Sequence, residues 1–170
     1  GTFIQPAFLT QPLTQFYSFS STLKKDNITI SNHVVSYAMR QVDERLCRKT
    51  GHAVGSAVHE LVRLRSGQGE PLMIETSYLP VKRFPSLDIE RLENGSLYDF
   101  LTATYGFEIH NVRETLRPVM PLPQEKELLQ ITGTLPCILL ERFTHENEAC
   151  AEYTKSIVRG DKYIFSVELK

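Results

Sequence analysis

A chain of 170 residues with an apolar fraction of 41% and a charged fraction of 23% has the makeup of one globular domain with a real core, which excludes a disordered or fibrous protein. The 19 basic and 20 acidic residues leave a net charge of −1, which argues against this piece gripping nucleic acid by itself. No apolar run approaches the ~20 residues that span a bilayer, the start lacks the layout of a signal peptide, and Cys47, Cys137 and Cys150 read as reduced thiols of a cytoplasmic protein.

In chain order, Gly1-Thr2-Phe3-Ile4 reads as a β-like scrap, and residues 5–15, rich in Pro, Thr and Gln, read as a linker. An upstream domain is therefore expected before this chain. Residues 16–20 predict a short strand. A second strand is expected over 34–42, followed by a short helix over 43–49 that stops at Gly51, suited to the left-handed C′ position. Segments 58–65 and 71–79 predict a hairpin across Ser66-Gly67-Gln68-Gly69-Glu70. A helix over 96–105 ends at Gly106, 107–117 reads as a strand, and 123–129 reads as a helix with Pro in its first turn. Three strands, 137–144, 149–158 and 163–169, close the chain, joined by polar turns at His145-Glu146-Asn147 and Arg159-Gly160-Asp161-Lys162. Strands joined mostly by hairpins and separated by a few short helices predict an α+β fold, a mostly antiparallel sheet with flanking helices.

Two segments carry chemistry. Arg63 and Arg65 are two apart on a predicted strand and so share a face. Asn94-Gly95-Ser96 opens a helix, and such a terminus offers backbone N–H groups and a hydroxyl to an anion. Leu97, Phe100 and Leu101 suit the buried stripe of that helix, while Ser96 and Tyr98 frame its entrance. If the strand and the helix start meet, they make a pocket for a phosphate or carboxylate. A five-residue hairpin loop sets Arg63 opposite Met73 and Leu61 opposite Glu75, which leaves Glu75 diagonal to Arg63. Such a trio is either a cross-strand salt bridge on a solvated face or a site where guanidiniums grip an anion while the carboxylate takes hydroxyl or amine donors.

Enzyme signatures are missing. His33, His52, His59, His110 and His145 show no metal spacing, so no metal and no cofactor is expected. No nucleophile elbow, Walker loop or dinucleotide fingerprint occurs, and Asp88/Glu90 and Glu125/Glu127 read as solvated helix faces. An arginine-lined pocket also suits a hydrolase or lyase with an anionic substrate, but no base or nucleophile stands out for one.

Taken in order, Phe19-Ser20, Arg63-Leu64-Arg65, Glu75-Thr76-Ser77-Tyr78-Leu79-Pro80, Phe84-Pro85, Ser96-Leu97-Tyr98 with Tyr105-Gly106, and Glu152 with Arg159-Gly160-Asp161-Lys162-Tyr163 resemble the motif set of the UTRA domain, the effector-binding half of HutC-subfamily GntR transcription regulators. The opening four residues resemble the last strand of that family's winged-helix domain. The resemblance implies that 1–15 is the end of a truncated winged-helix DNA-binding domain plus linker, and that 16–170 is the effector-binding domain. It further implies a chorismate lyase-like fold in a cytoplasmic, homodimeric, non-enzymatic regulator without cofactor or membrane partner. Operator DNA would be held by the absent N-terminal domain, and the small-molecule effector would be a phosphorylated sugar, an amino sugar or a similar anion. By the same resemblance the phosphate side of the effector falls to Arg63, Arg65, Ser96, Tyr98 and the backbone near Phe19 and Ser20, and the sugar side to Glu75 and Glu152. One departure is Val158, where the family often has an aromatic residue. Two other function classes stay open: a chorismate lyase-like enzyme on a small organic acid, with Glu75 or Glu152 handling a proton, and a structural dimerisation module.

Overall fold

The computed structural model describes residues 9–12 and 29–169. Strand β2 (Ile30–Gln41) leads into α1 (Glu44–Thr50), where Asp43 caps the start by accepting from the Leu46 N–H at 2.8 Å and Gly51 ends it with φ +78°. Strands β3 (Ala57–Gly67) and β4 (Glu70–Pro80) follow as a hairpin. Two short helices, α2 (Ile89–Asn94) and α3 (Leu97–Tyr105), precede β5 (Asn111–Val119), and α4 (Pro123–Leu128) links it to β6 (Cys137–Glu146) and β7 (Ala149–Arg159). One antiparallel sheet has the order β2-β3-β4-β7-β6-β5. It joins two meanders, β2-β3-β4 and β5-β6-β7, along the β4–β7 seam.

Helices cover both faces. On the inner face α2 and α3 bury Leu92, Leu97, Phe100 and Leu101 against Leu61, Leu79, Phe84 and Phe107. At the other end of that face, Tyr163 and Phe165 of β8 (Tyr163–Ser166) pack on Leu72, Met73, Leu140 and Val158. On the outer face Leu128 and Leu129, at the end of α4, meet Ile74, Val62 and Leu64, and Leu46 of α1 meets Phe143, Tyr78 and Tyr153. Between the two inner apolar clusters lies a band of buried polar side chains.

Three expectations change. The β3–β4 turn is the two residues Gln68-Gly69, with φ +52° and +79°, the backbone of a type I′ turn that matches strand twist. With a bulge at Arg65/Ser66, the register moves by two residues, so Arg63 faces Glu75 directly and Arg65 faces Met73. Because the slip is even, the side chains keep their face. Second, the last strand does not extend the terminal meander: β8 pairs in parallel with β1 (Leu9–Pro12), inside the stretch expected to be linker. Gly160 turns the chain away from β7 against the Pro136 carbonyl. Third, in the helix read at Asp88/Glu90, which is α2, Asp88 is not part of a helix face but the N-cap, accepting from the Arg91 N–H at 3.2 Å. The strand expected over 16–20 lies outside the described residues.

Candidate functional site

The period-2 alternation of the sheet places Arg63 and Arg65 of β3, Glu75 and Ser77 of β4, Glu152, Thr154 and Ser156 of β7, and Arg142 and Thr144 of β6 on the inner face, all of them buried. Arg63, 1% exposed, donates from Nη2 to Glu75 Oε1 at 2.8 Å and from Nη1 to the carbonyls of Leu92 at 3.3 Å and Gly95 at 3.5 Å. Its guanidinium therefore sits beneath the loop that opens α3, where Ser96 Oγ accepts from the Asp99 N–H at 3.4 Å. Arg65 donates to Glu75 Oε2 at 3.1 Å and, through Nε, to Asn32 Oδ1 at 2.9 Å. One carboxylate thus bridges two arginines at the foot of a helix start. The hairpin and the helix do meet.

Electrostatics follows from this packing. Burial pushes the Glu75 carboxyl upward, but the Arg65 and Arg63 charges and their hydrogen bonds outweigh it and hold the group at about 2. Burial lowers Arg65, with Glu75 opposing and Arg63 reinforcing. Glu152 goes the other way: burial raises it, and the neighbouring Glu75 charge adds to the rise, against hydrogen bonds from Thr154 and Tyr98. Thr154 Oγ1 is hydrogen-bonded to Glu152 Oε1 and lies 3.4 Å from Ser77 Oγ, which in turn donates to Glu75 Oε1 at 3.4 Å. Each hydroxyl has one proton, so a protonated Glu152 donating to Thr154 lets every link in this chain carry a hydrogen bond. Within the band, Arg63 Nε at one end and Glu152 Oε2 at the other are buried without a hydrogen-bond partner among the described residues. The band therefore offers an open donor and an open acceptor, the pattern that a ligand with an anionic end and a hydroxyl- or amine-bearing end would complete.

The Tyr98 hydroxyl is turned to the Glu152 end of the band. It lies 3.4 Å from Thr144 Oγ1 and accepts from Arg142 Nη1 at 3.3 Å, and its ring stacks on Phe107 at 6.4 Å. Burial, then the Glu152 charge, raises its hydroxyl far above the ordinary value. Val158 is fully buried in the β8 cluster, two residues along the strand from Ser156. Phe19 and Ser20 lie outside the described residues.

The sequence profile of the UTRA domain matches residues 25–164. The chain belongs to the UTRA domain family. Among its relatives, the HTH-type transcriptional repressor NagR of Bacillus subtilis (strain 168) is 27% identical over 166 residues, 97% of this chain and 68% of NagR. The HTH-type transcriptional repressor PhnF of Mycolicibacterium smegmatis is 27% identical over 150 residues, 88% of this chain and 61% of PhnF. The crystal structure of the effector domain of PhnF from Mycobacterium smegmatis superposes with a TM-score of 0.85 at 25% identity, covering 95% of this chain and 99% of that one. This UTRA domain is thus a ligand-binding module of transcription regulators, with the chorismate lyase-like α+β fold that the motif set implied. It spans only part of the length of NagR and PhnF.

Sequence reasoning on this UTRA domain missed Asn32, Ser77, Glu114, Arg142, Thr144 and Thr154. Thr144 and Thr154 are uncharged and common on strands, so nothing marks them. Arg142 follows Glu141, and two adjacent charges leave open which one faces inward. Leu140 and Thr144, both buried and in phase with Arg142, carry the signal that could have found it. Among the described residues no helix is long and apolar enough to cross a membrane, and no group of three metal-ligating side chains converges.

Proposed function

We propose that this UTRA domain senses a small anionic metabolite, a phosphorylated sugar or amino sugar, and does so without catalysis. The observation that carries the reading is the buried Arg63–Glu75–Arg65 cluster beneath the Gly95-Ser96 loop, where two guanidiniums share one carboxylate and one N–H is left open. The phosphoryl group binds to Arg63, Arg65 and the start of α3, with Phe19 and Ser20 completing that side as the family resemblance implies. Tyr98 belongs to the phosphate side by the same resemblance, and the other end of the ligand meets Glu75 and Glu152. The mannosyl-D-glycerate transport/metabolism system repressor MngR of Escherichia coli (strain K12), 23% identical over 98% of this chain, supports a regulator of sugar metabolism. The protein acts in the cytoplasm as a homodimer whose DNA-binding domain precedes this one, so that 1–15 connects the two. Ligand binding shifts the balance between two arrangements of that connection in proportion to its different affinity for each.

A thermal-shift panel tests this. Phosphorylated sugars should raise the melting point and their unphosphorylated parents should not. At a hundredfold excess over Kd the gain is about 2.7 kcal/mol. A shift from small carboxylates alone would keep the pocket and remove the phosphate assignment.

A further inference from the structure

We propose that Asn32 is a positioning and specificity residue of this site: it holds Arg65 with an uncharged acceptor, and so keeps the arginine cluster cationic and selective for an anion. The inference rests on the ligand-sensing reading and deepens it. Asn32 lies on β2, an edge strand of the sheet, at the register position facing Arg65. It is half-buried, and its Oδ1 accepts from Arg65 Nε at 2.9 Å. Glu75 Oε2 takes Nη1 of the same guanidinium at 3.1 Å. Arg65, 4% exposed, is thus gripped from both neighbouring strands, β2 and β4. Two held nitrogens fix the plane of a guanidinium, and with it the direction in which the charge is presented.

The chemistry of the acceptor matters as much as its place. Glu75 is the carboxylate that Arg63 and Arg65 share, which sets two cations against one anion. Arg63 donates its other hydrogen bonds to the backbone carbonyls of Leu92 and Gly95, which carry no charge. Asn32 does for Arg65 what those carbonyls do for Arg63: it satisfies an N–H without cancelling the charge. Glu152 donates its proton to Thr154 and adds no negative charge to the band. Aspartate has the shape of asparagine and would grip Arg65 more strongly, through a charge-assisted bond. It would also set two anions against two cations and remove the surplus that draws an anionic ligand. Stability alone would favour the carboxylate at this position. The amide suits a site that keeps its positive charge for a ligand.

The test compares Asn32→Asp and Asn32→Leu with wild type in this chain, by melting point without ligand and by isothermal titration. Glucose 6-phosphate, inorganic phosphate and gluconate are the probes. Asn32→Asp should melt at or above the wild-type temperature, yet bind the anions about tenfold or more weakly, because its carboxylate repels them. Asn32→Leu should lower both melting point and affinity, since it leaves a buried Arg65 N–H without its acceptor. Unchanged anion affinity in Asn32→Asp, or a loss accompanied by a matching fall in melting point, overturns the proposal. If wild type binds gluconate and neither phosphate probe, the phosphate reading falls by itself. Opposite shifts of melting point and gluconate affinity in Asn32→Asp then support the role of Asn32, and parallel shifts overturn it. Wild type that binds none of the three overturns both readings.

Discussion

Glu75→Gln is the substitution that most directly probes the arginine cluster. The amide keeps the shape of the side chain and removes the charge that two buried guanidiniums share. Glu75 is held at about 2 in the folded chain against an ordinary 4.5, a gap worth about 3 kcal/mol of stability at neutral pH. Breaking a buried ion pair by deleting one partner costs about 3–5 kcal/mol, so two routes agree on roughly 3. For a chain of this length each kcal/mol moves Tm by about 2–4 °C, so the variant should melt about 6–12 °C below wild type at pH 7. Because the folded value is depressed, this stability is present above 4.5 and is lost as pH falls toward 2. The gap between the two proteins should therefore narrow in acid. Melting curves followed by circular dichroism from pH 7 to pH 3 read both effects. A variant as stable as wild type at pH 7, or a gap that does not close in acid, refutes the argument.

Glu152 should show the opposite sign. Its folded value is raised, so its contribution is present below 4.5 and is lost as pH rises through the raised value. Glu152→Gln should thus be more stable than wild type at pH 8 in urea melts, with the advantage shrinking below pH 5; a less stable variant at pH 8 contradicts the assignment. Gln68 occupies the first left-handed position of the type I′ turn, where Asn is preferred, so Gln68→Asn should stabilise the ligand-free domain by about 0.5–1 kcal/mol in the same urea assay. Gly160→Ala would drive a Cβ into the Pro136 carbonyl, and it should lower Tm clearly while glycine substitutions at neighbouring exposed sites do not.

Much of the fold was legible because its boundaries are local chemistry. Asp43, Gly51, Ser96 and Gly106 marked two helices to within a residue, and alternation marked the strands of both meanders. What local patterns could not supply was the number of turn residues at 66–70. The bulge at Arg65/Ser66 and the positive φ of Gln68 depend on the twist of the paired strands, so the register was two residues off although the face was right. The pairing of β8 with β1 joins the two ends of the chain, beyond the reach of any window. In the site, Arg63 and Arg65 stood out because two cations in phase on one strand repel unless a counter-charge or a ligand holds them. Glu75 supplied that counter-charge on the partner strand, and Ser96 was marked as a helix cap by the Asn94-Gly95 before it. Glu152 came from the family resemblance alone. Arg142 stayed hidden because Glu141 beside it breaks the alternation, and its burial is decided by Glu114 on another strand.

The central claim is that buried Arg63 and Arg65 hold the phosphoryl group of a metabolite. Isothermal titration of a sugar phosphate and of its unphosphorylated parent into wild type and Arg65→Met tests it most directly. The account predicts binding of the phosphorylated form alone, with Arg65→Met weaker by roughly 2–5 kcal/mol as expected for loss of a desolvated charge contact. Equal binding of both sugars, or unchanged affinity in the variant, would contradict it.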